Sequence, residues 1–157
     1  MKRTFHSGPN LLLVGLTVLL LSVCIGCAGP PQSLHIEVSE IINTDGETFT
    51  ATGPAVTAGD VCPSGTVSDL NVTQTGSGQG PYSSFDVLKE FDCADGSGTF
   101  NLDLKVKLEN ASGNTTATWQ VAGGTGNYAN LQGNGALVGT AIVQGTSIFD
   151  VYDGKVK

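Results

Sequence analysis

Carboxylates are the only plentiful acid–base groups in this chain of 157 residues, since His35 is the one histidine beyond the first 26 positions. His35 alternates with Leu34 and Ile36, which puts it on the polar phase of an extended run and predicts an exposed ring. A Ser-His-Asp system needs its histidine held by a buried acid and aimed at a serine, and nothing around His35 supplies either. A carboxyl enclosed among strands is a better candidate, because desolvation raises its pKa and lets it give or take a proton near neutral pH. On that ground the candidates are Asp86, Glu90, Asp103 and Asp150. Asp103 falls on the polar phase of a strongly alternating segment, and Asp86 and Glu90 flank lysine or turn positions. Asp150 stands apart, because it shares a phase with Tyr152, opposite Phe149 and Val151. No residue is assigned a catalytic role from the sequence, and the non-enzyme reading is preferred.

Other chemistry is excluded by spacing. Two separated cysteines, Cys62 and Cys93, with one histidine do not make the clustered ligand set of a structural zinc site, so no metal is expected. Gly124-Thr125-Gly126-Asn127-Tyr128-Ala129 fits the G-x-G-x-x-A pattern of dinucleotide sites, but that pattern works only where a helix follows, and Gly133 and Gly135 arrive too soon for one. No cofactor is implied. Asn71, Asn110 and Asn114 each open an N-x-S/T triplet and are read as turn and strand chemistry.

The first residues bear on where the chain works. Lys2 and Arg3 precede an apolar run from Leu11 to Val23, which has the length of a secretory signal core rather than the ~20 residues of a membrane-spanning helix. The junction Ile25-Gly26-Cys27 resembles a bacterial lipoprotein signal, which implies acylation of Cys27 as the new N-terminus, a palmitate-type anchor and a place in the cell envelope outside the cytoplasm. Ordinary cleavage and free secretion is the alternative. The expected division is a signal peptide over 1–26, a tether over 27–33 and one domain over 34–157. Once Lys2 and Arg3 leave with the signal, five lysines and no arginine face fourteen acids, a formal charge of −9. Such a surface repels phosphate, so nucleic acid is not an expected partner, and membrane contact must come from the lipid. Self-association is left open. Export also places Cys62 and Cys93, each beside a turn, in an oxidising compartment, which predicts a disulfide between them.

Glycine, threonine and alternating runs predict an all-β domain. Extended segments are expected at 34–38, 48–56 with an edge or bulge at Gly53-Pro54, 61–72, 85–91, 99–109, 115–121, 136–143 and 146–156. The clearest is 99–109, where Phe100, Leu102, Leu104, Val106 and Leu108 alternate with polar residues. A short link at 111–114 makes an antiparallel hairpin with the strand of Ala117 and Trp119, and Gly123, Gly124 and Gly126 then force a sharp turn. Eight consecutive antiparallel strands fit a closed up-and-down barrel, with a β-sandwich as the alternative. Its interior would be lined by Phe100, Leu102, Leu104, Ala117 and Trp119, with room for at most a small apolar ligand.

The segment Trp119-Gln120-Val121-Ala122-Gly123-Gly124-Thr125-Gly126-Asn127-Tyr128-Ala129-Asn130-Leu131-Gln132-Gly133-Asn134-Gly135 resembles the matching part of the allene-oxide-cyclase-like and dirigent-like β-barrels. Thr52-Gly53-Pro54-Ala55-Val56, the Cys62 and Cys93 loops and Asp150-Val151-Tyr152-Asp153-Gly154 extend the resemblance to bacterial proteins of that group, and imply a bacterial lipoprotein member of unassigned activity. It implies the barrel fold. Plant enzymes of the group cyclise an epoxide in an apolar cavity and dirigent proteins steer phenolic radical coupling, but none of their functional residues falls on a matched position here. Two readings follow: an envelope barrel acting as an interaction or small apolar ligand-binding module, or an isomerase or cyclase-like enzyme working on an apolar substrate inside the barrel.

Overall fold

Alternation of apolar and polar side chains decides the architecture. The computed structural model describes residues 29–157 apart from positions 43, 45 and 77. The expected signal and Cys27 lie outside the described residues. Eight strands follow one another: β1 (Gln32–Ile41), β2 (Glu47–Thr52), β3 (Ser64–Gln74), β4 (Tyr82–Cys93), β5 (Thr99–Glu109), β6 (Thr115–Gly124), β7 (Gly133–Val143) and β8 (Ser147–Val156). Each pairs antiparallel with its neighbour in sequence, and β8 returns to β1 from Gln32↔Val156 to Ile41↔Ser147, closing the barrel. Closure satisfies the edges that an open sheet or sandwich would leave.

Two segments differ from the sequence expectation. Residues 53–58 are neither edge strand nor bulge: Pro54–Ala58 is a short helix, α1, with Pro54 in its first turn and Gly59 ending it in the left-handed conformation at φ 81°. Proline costs a helix nothing at its first position and glycine ends one cheaply, so this pair of residues was the signal for a helical turn. Val61 and Cys62 consequently lie before β3 rather than in it, packed beneath the barrel with Ala55.

The barrel has a closed end and an open one. Gln32, Thr52, Ser64, Cys93, Thr99, Gly124, Gly133 and Val156 all lie at the closed end, where an aromatic cluster fills the interior. Phe91 stacks on Phe100 at 4.9 Å, while Phe49 and Tyr152 meet Phe91 edge-on at 5.2 and 5.7 Å. Edge-on and offset contacts of this kind add about 0.5–1.5 kcal/mol each beyond burial. Trp119 lies across Gly135 and Gly154, where any side chain would strike its ring, and its indole N–H donates to the Ala136 carbonyl at 3.0 Å. Cys62 and Cys93 are disulfide-bonded, tying the α1 segment to the end of β4.

The glycine segment works as a turn. Gly123 and Gly126 have φ 150° and 57°, and Gly124 is pressed against the Thr99 and Tyr128 carbonyls. The helix after it is a single 3-10 turn, Gly126–Tyr128, which leaves the dinucleotide pattern without its anion-binding element. The asparagines of two N-x-S/T triplets brace the opposite end. Asn110 donates to the Gly80 carbonyl and accepts from the Ser83 hydroxyl, and Asn114 accepts from the Ala141 N–H.

Candidate functional site

Charged side chains occupy inward positions toward the open end. In β4 the inward phase runs Phe85, Val87, Lys89, Phe91, so Lys89 projects among apolar neighbours and is buried. Glu40 follows Leu34, Ile36 and Val38 on the inward phase of β1. Asp69 stands directly opposite Lys89 across the β3–β4 ladder, just before a bulge that carries Leu70 outward and returns Val72 to the inward side. The Lys89 ammonium donates to both Glu40 carboxyl oxygens, at 3.0 and 2.8 Å, and lies 2.6 Å from Asp69 Oδ1. Burial works to lower the Lys89 pKa, but the two carboxylates outweigh it and hold the ammonium above its ordinary value. Glu40 is raised by burial, with Lys89 opposing the rise and the Asp69 charge adding to it. One cation is shared among too many acids.

Asp150 is the acid left over. It faces inward from β8 between Val38 of β1 and Gly139 of β7, is only 5% exposed, and its Oδ1 has no hydrogen-bond partner. Burial, followed by the charge of Glu40, pushes its pKa up to about 7. One inward step deeper, the Tyr152 hydroxyl is also buried without a partner, and burial and the neighbouring Asp150 charge raise its pKa. The sequence phase of Asp150 and Tyr152 is therefore the interior one, while Phe149 and Val151 face outward and half-buried.

Above Asp150 the barrel is not filled. A cavity of about 220 Å³ opens at this end, with Val87, Leu104, Val106, Leu137 and Ile148 among its walls and Asp150 and Lys89 on its polar side. It is smaller than the ~300–1,000 Å³ sites that enclose drug-sized molecules. A second depression of about 330 Å³ reaches Lys89 from the side, because β2 pairs with β3 only from Glu47 to Thr50 and leaves the far half of β3 uncovered. Among the described residues no group of three or more His, Cys, Asp or Glu side chains is arranged to hold a metal ion.

The other sequence candidates are dispersed. Leu104 borders the cavity, whereas Phe100, Leu102, Ala117 and Trp119 belong to the buried core and do not line it. Asp86 and Asp103 face outward and flank Lys105 at 3.0 and 3.4 Å, and Glu90 occupies the outward phase of β4. His35 is on the surface, its ring against Asp153 at 2.7 Å and Glu37 at 3.3 Å. The hydrogen bond with Asp153, then that with Glu37, raises its pKa. Glu40, Asp69 and Lys89 were not singled out from sequence. Lys89 and Glu40 were nonetheless marked, each being a charge in step with apolar residues of its own strand.

No protein-family profile matches the chain, and no curated protein matches it in sequence.

Proposed function

We propose that this protein is an exported barrel module that takes one small, mainly apolar ligand into its open end, with the ligand's polar group meeting Asp150. The observation that carries the reading is an apolar cavity whose polar side holds a buried carboxyl with an unpartnered oxygen. An occupant that hydrogen-bonds to the Asp150 carboxyl offsets part of the cost of burying it. The resemblance to allene-oxide-cyclase-like and dirigent-like barrels belongs to the same proposal, since it implies a cavity inside the barrel.

Acylation of Cys27 would fit the geometry. β1 begins at the closed end, so an anchor a few residues before Gln32 would hold that end toward the membrane and turn the cavity mouth away from it. Loss of fatty-acid label in Cys27→Ser tests the anchor, and equal labelling of both proteins would remove it.

A second reading, proton transfer on an apolar substrate, is favoured by one observation. A carboxyl titrating at about 7 is poised to act as acid or base at neutral pH. Chemical change of the bound molecule, lost in Asp150→Asn, would select it over simple binding.

The binding test is a backbone-amide NMR titration with 2-phenylethanol. Saturable shifts around Val87, Leu104 and Thr115, abolished by Val106→Trp at the mouth, support the site. Shifts elsewhere, or shifts that survive Val106→Trp in a folded variant, reject it.

A further inference from the structure

We infer that the cavity selects a small organic cation, an ammonium group on an apolar body, which sets its charge against the Asp150 carboxylate. This rests on the ligand-site reading above and names its ligand class.

Each element facing Asp150 contributes to the argument. β1 presents Glu40, β3 presents Asp69 and β4 presents Lys89, whose ammonium is taken up by those two acids. β2 adds another acid, Glu47, on the adjoining depression. β5 offers Leu104 and Val106, β6 offers Thr115, and β7 offers Leu137 beside Gly139, none of them charged. Along β8 itself the inward neighbours are Ile148 and Tyr152. Among the described residues three inward carboxyls therefore face one inward ammonium, and the carboxyl without a counter-charge is Asp150, which is 95% buried and borders the cavity.

An incoming ammonium would set its charge against the Asp150 carboxyl and bring the cluster closer to neutrality. A ligand carboxylate or phosphate would meet Asp150, Glu40 and Asp69 together and be repelled. Lys89 already occupies the place between Glu40 and Asp69 where a compact metal ion would sit, so the vacancy at Asp150 suits a monovalent group brought in on an apolar stem. The walls supply the site for that stem.

Protonation of Asp150 competes with the cation. Its folded pKa of about 7 makes amine affinity rise with pH up to neutrality, by as much as about tenfold per unit, and level off above it.

The experiment is calorimetry between pH 5 and 8.5 with three molecules of one shape: 2-phenylethylamine, 2-phenylethanol and phenylacetate. The expected result at pH 8 is amine over alcohol by tenfold or more and no measurable binding of the acid. The amine preference should shrink toward pH 5 while alcohol binding stays flat. In Asp150→Asn, its fold checked by circular dichroism, the preference for the amine over the alcohol should disappear. Equal, pH-independent binding of amine and alcohol would overturn the cation inference and leave the ligand site standing. An amine preference that persists in Asp150→Asn, or tightest binding of phenylacetate, would also overturn it. Failure of all three to bind would remove the ligand site itself, and this inference with it.

Discussion

Gly139 stands opposite Asp150 across the β7–β8 ladder, and a Cβ at position 139 would fall on the Asp150 carboxyl and on the Thr115 hydroxyl. The space for the buried acid is thus made by a residue with no side chain, on a different strand. That pairing explains how a carboxyl can point inward without displacing the barrel wall.

Gly139→Ala should therefore act as an overpacking change centred on Asp150. A destabilisation of about 1–3 kcal/mol in urea unfolding is expected, together with a shifted Asp150 titration. Val138→Ala, one position away on the exposed outer surface, should change stability by less than about 0.5 kcal/mol. Similar effects at both positions would reject the packing argument.

Asp150 also sets a pH dependence of stability. Its folded pKa is raised from 3.8 to about 7, so the folded state holds the proton more tightly than the unfolded chain. The resulting stability is complete below about pH 4 and is lost as pH rises through about 7, by up to about 4 kcal/mol. Asp150→Asn should remove this slope, gaining on the wild type by that order between pH 4 and 8 in denaturant titrations. A constant difference between the two proteins across that range would contradict the assignment.

Lys89 holds together two carboxylates that would otherwise be buried close to each other. Lys89→Met removes the ammonium, keeps most of the volume and should cost about 3–5 kcal/mol at pH 8, because Glu40 and Asp69 are left uncompensated. Adding Glu40→Gln and Asp69→Asn should recover much of the loss. A single variant as stable as the wild type would show that the cluster is not enclosed as described.

Reduction of the Cys62–Cys93 bond should cost about 2–5 kcal/mol, since it frees the segment that carries α1 from the end of β4. The Cys62→Ala/Cys93→Ala protein should show that loss in thermal unfolding without a change in strand content by circular dichroism. An unchanged melting temperature would oppose a structural role for the bond.

Much of the barrel was legible because a strand buried on one face sorts its residues with period two. Phe100, Leu102 and Leu104 announced their side in that way. The same pattern does not encode height along the barrel axis. Val106 and Leu108 share the phase of Phe100 but border the cavity rather than the sealed core. Lys89 and Glu40 were readable as charges on the apolar phase of their strands, but their partnership depends on how the barrel curls β1 toward β4 and on register, which no local pattern contains. Asp69 was hidden further by the bulge at Leu70, which changes the phase of β3 partway along. Gly139 carries no signal of its own, because its role depends on the residue across the ladder.

The central claim, a cavity with a buried and partnerless Asp150 on its polar side, is tested most directly by the carbon-13 NMR titration of the Asp150 carboxyl. The account predicts a midpoint near 7 in the free protein, falling when 2-phenylethylamine sets its ammonium against the carboxylate. A midpoint in the ordinary carboxylate range near 4, unmoved by the added molecule, would contradict it.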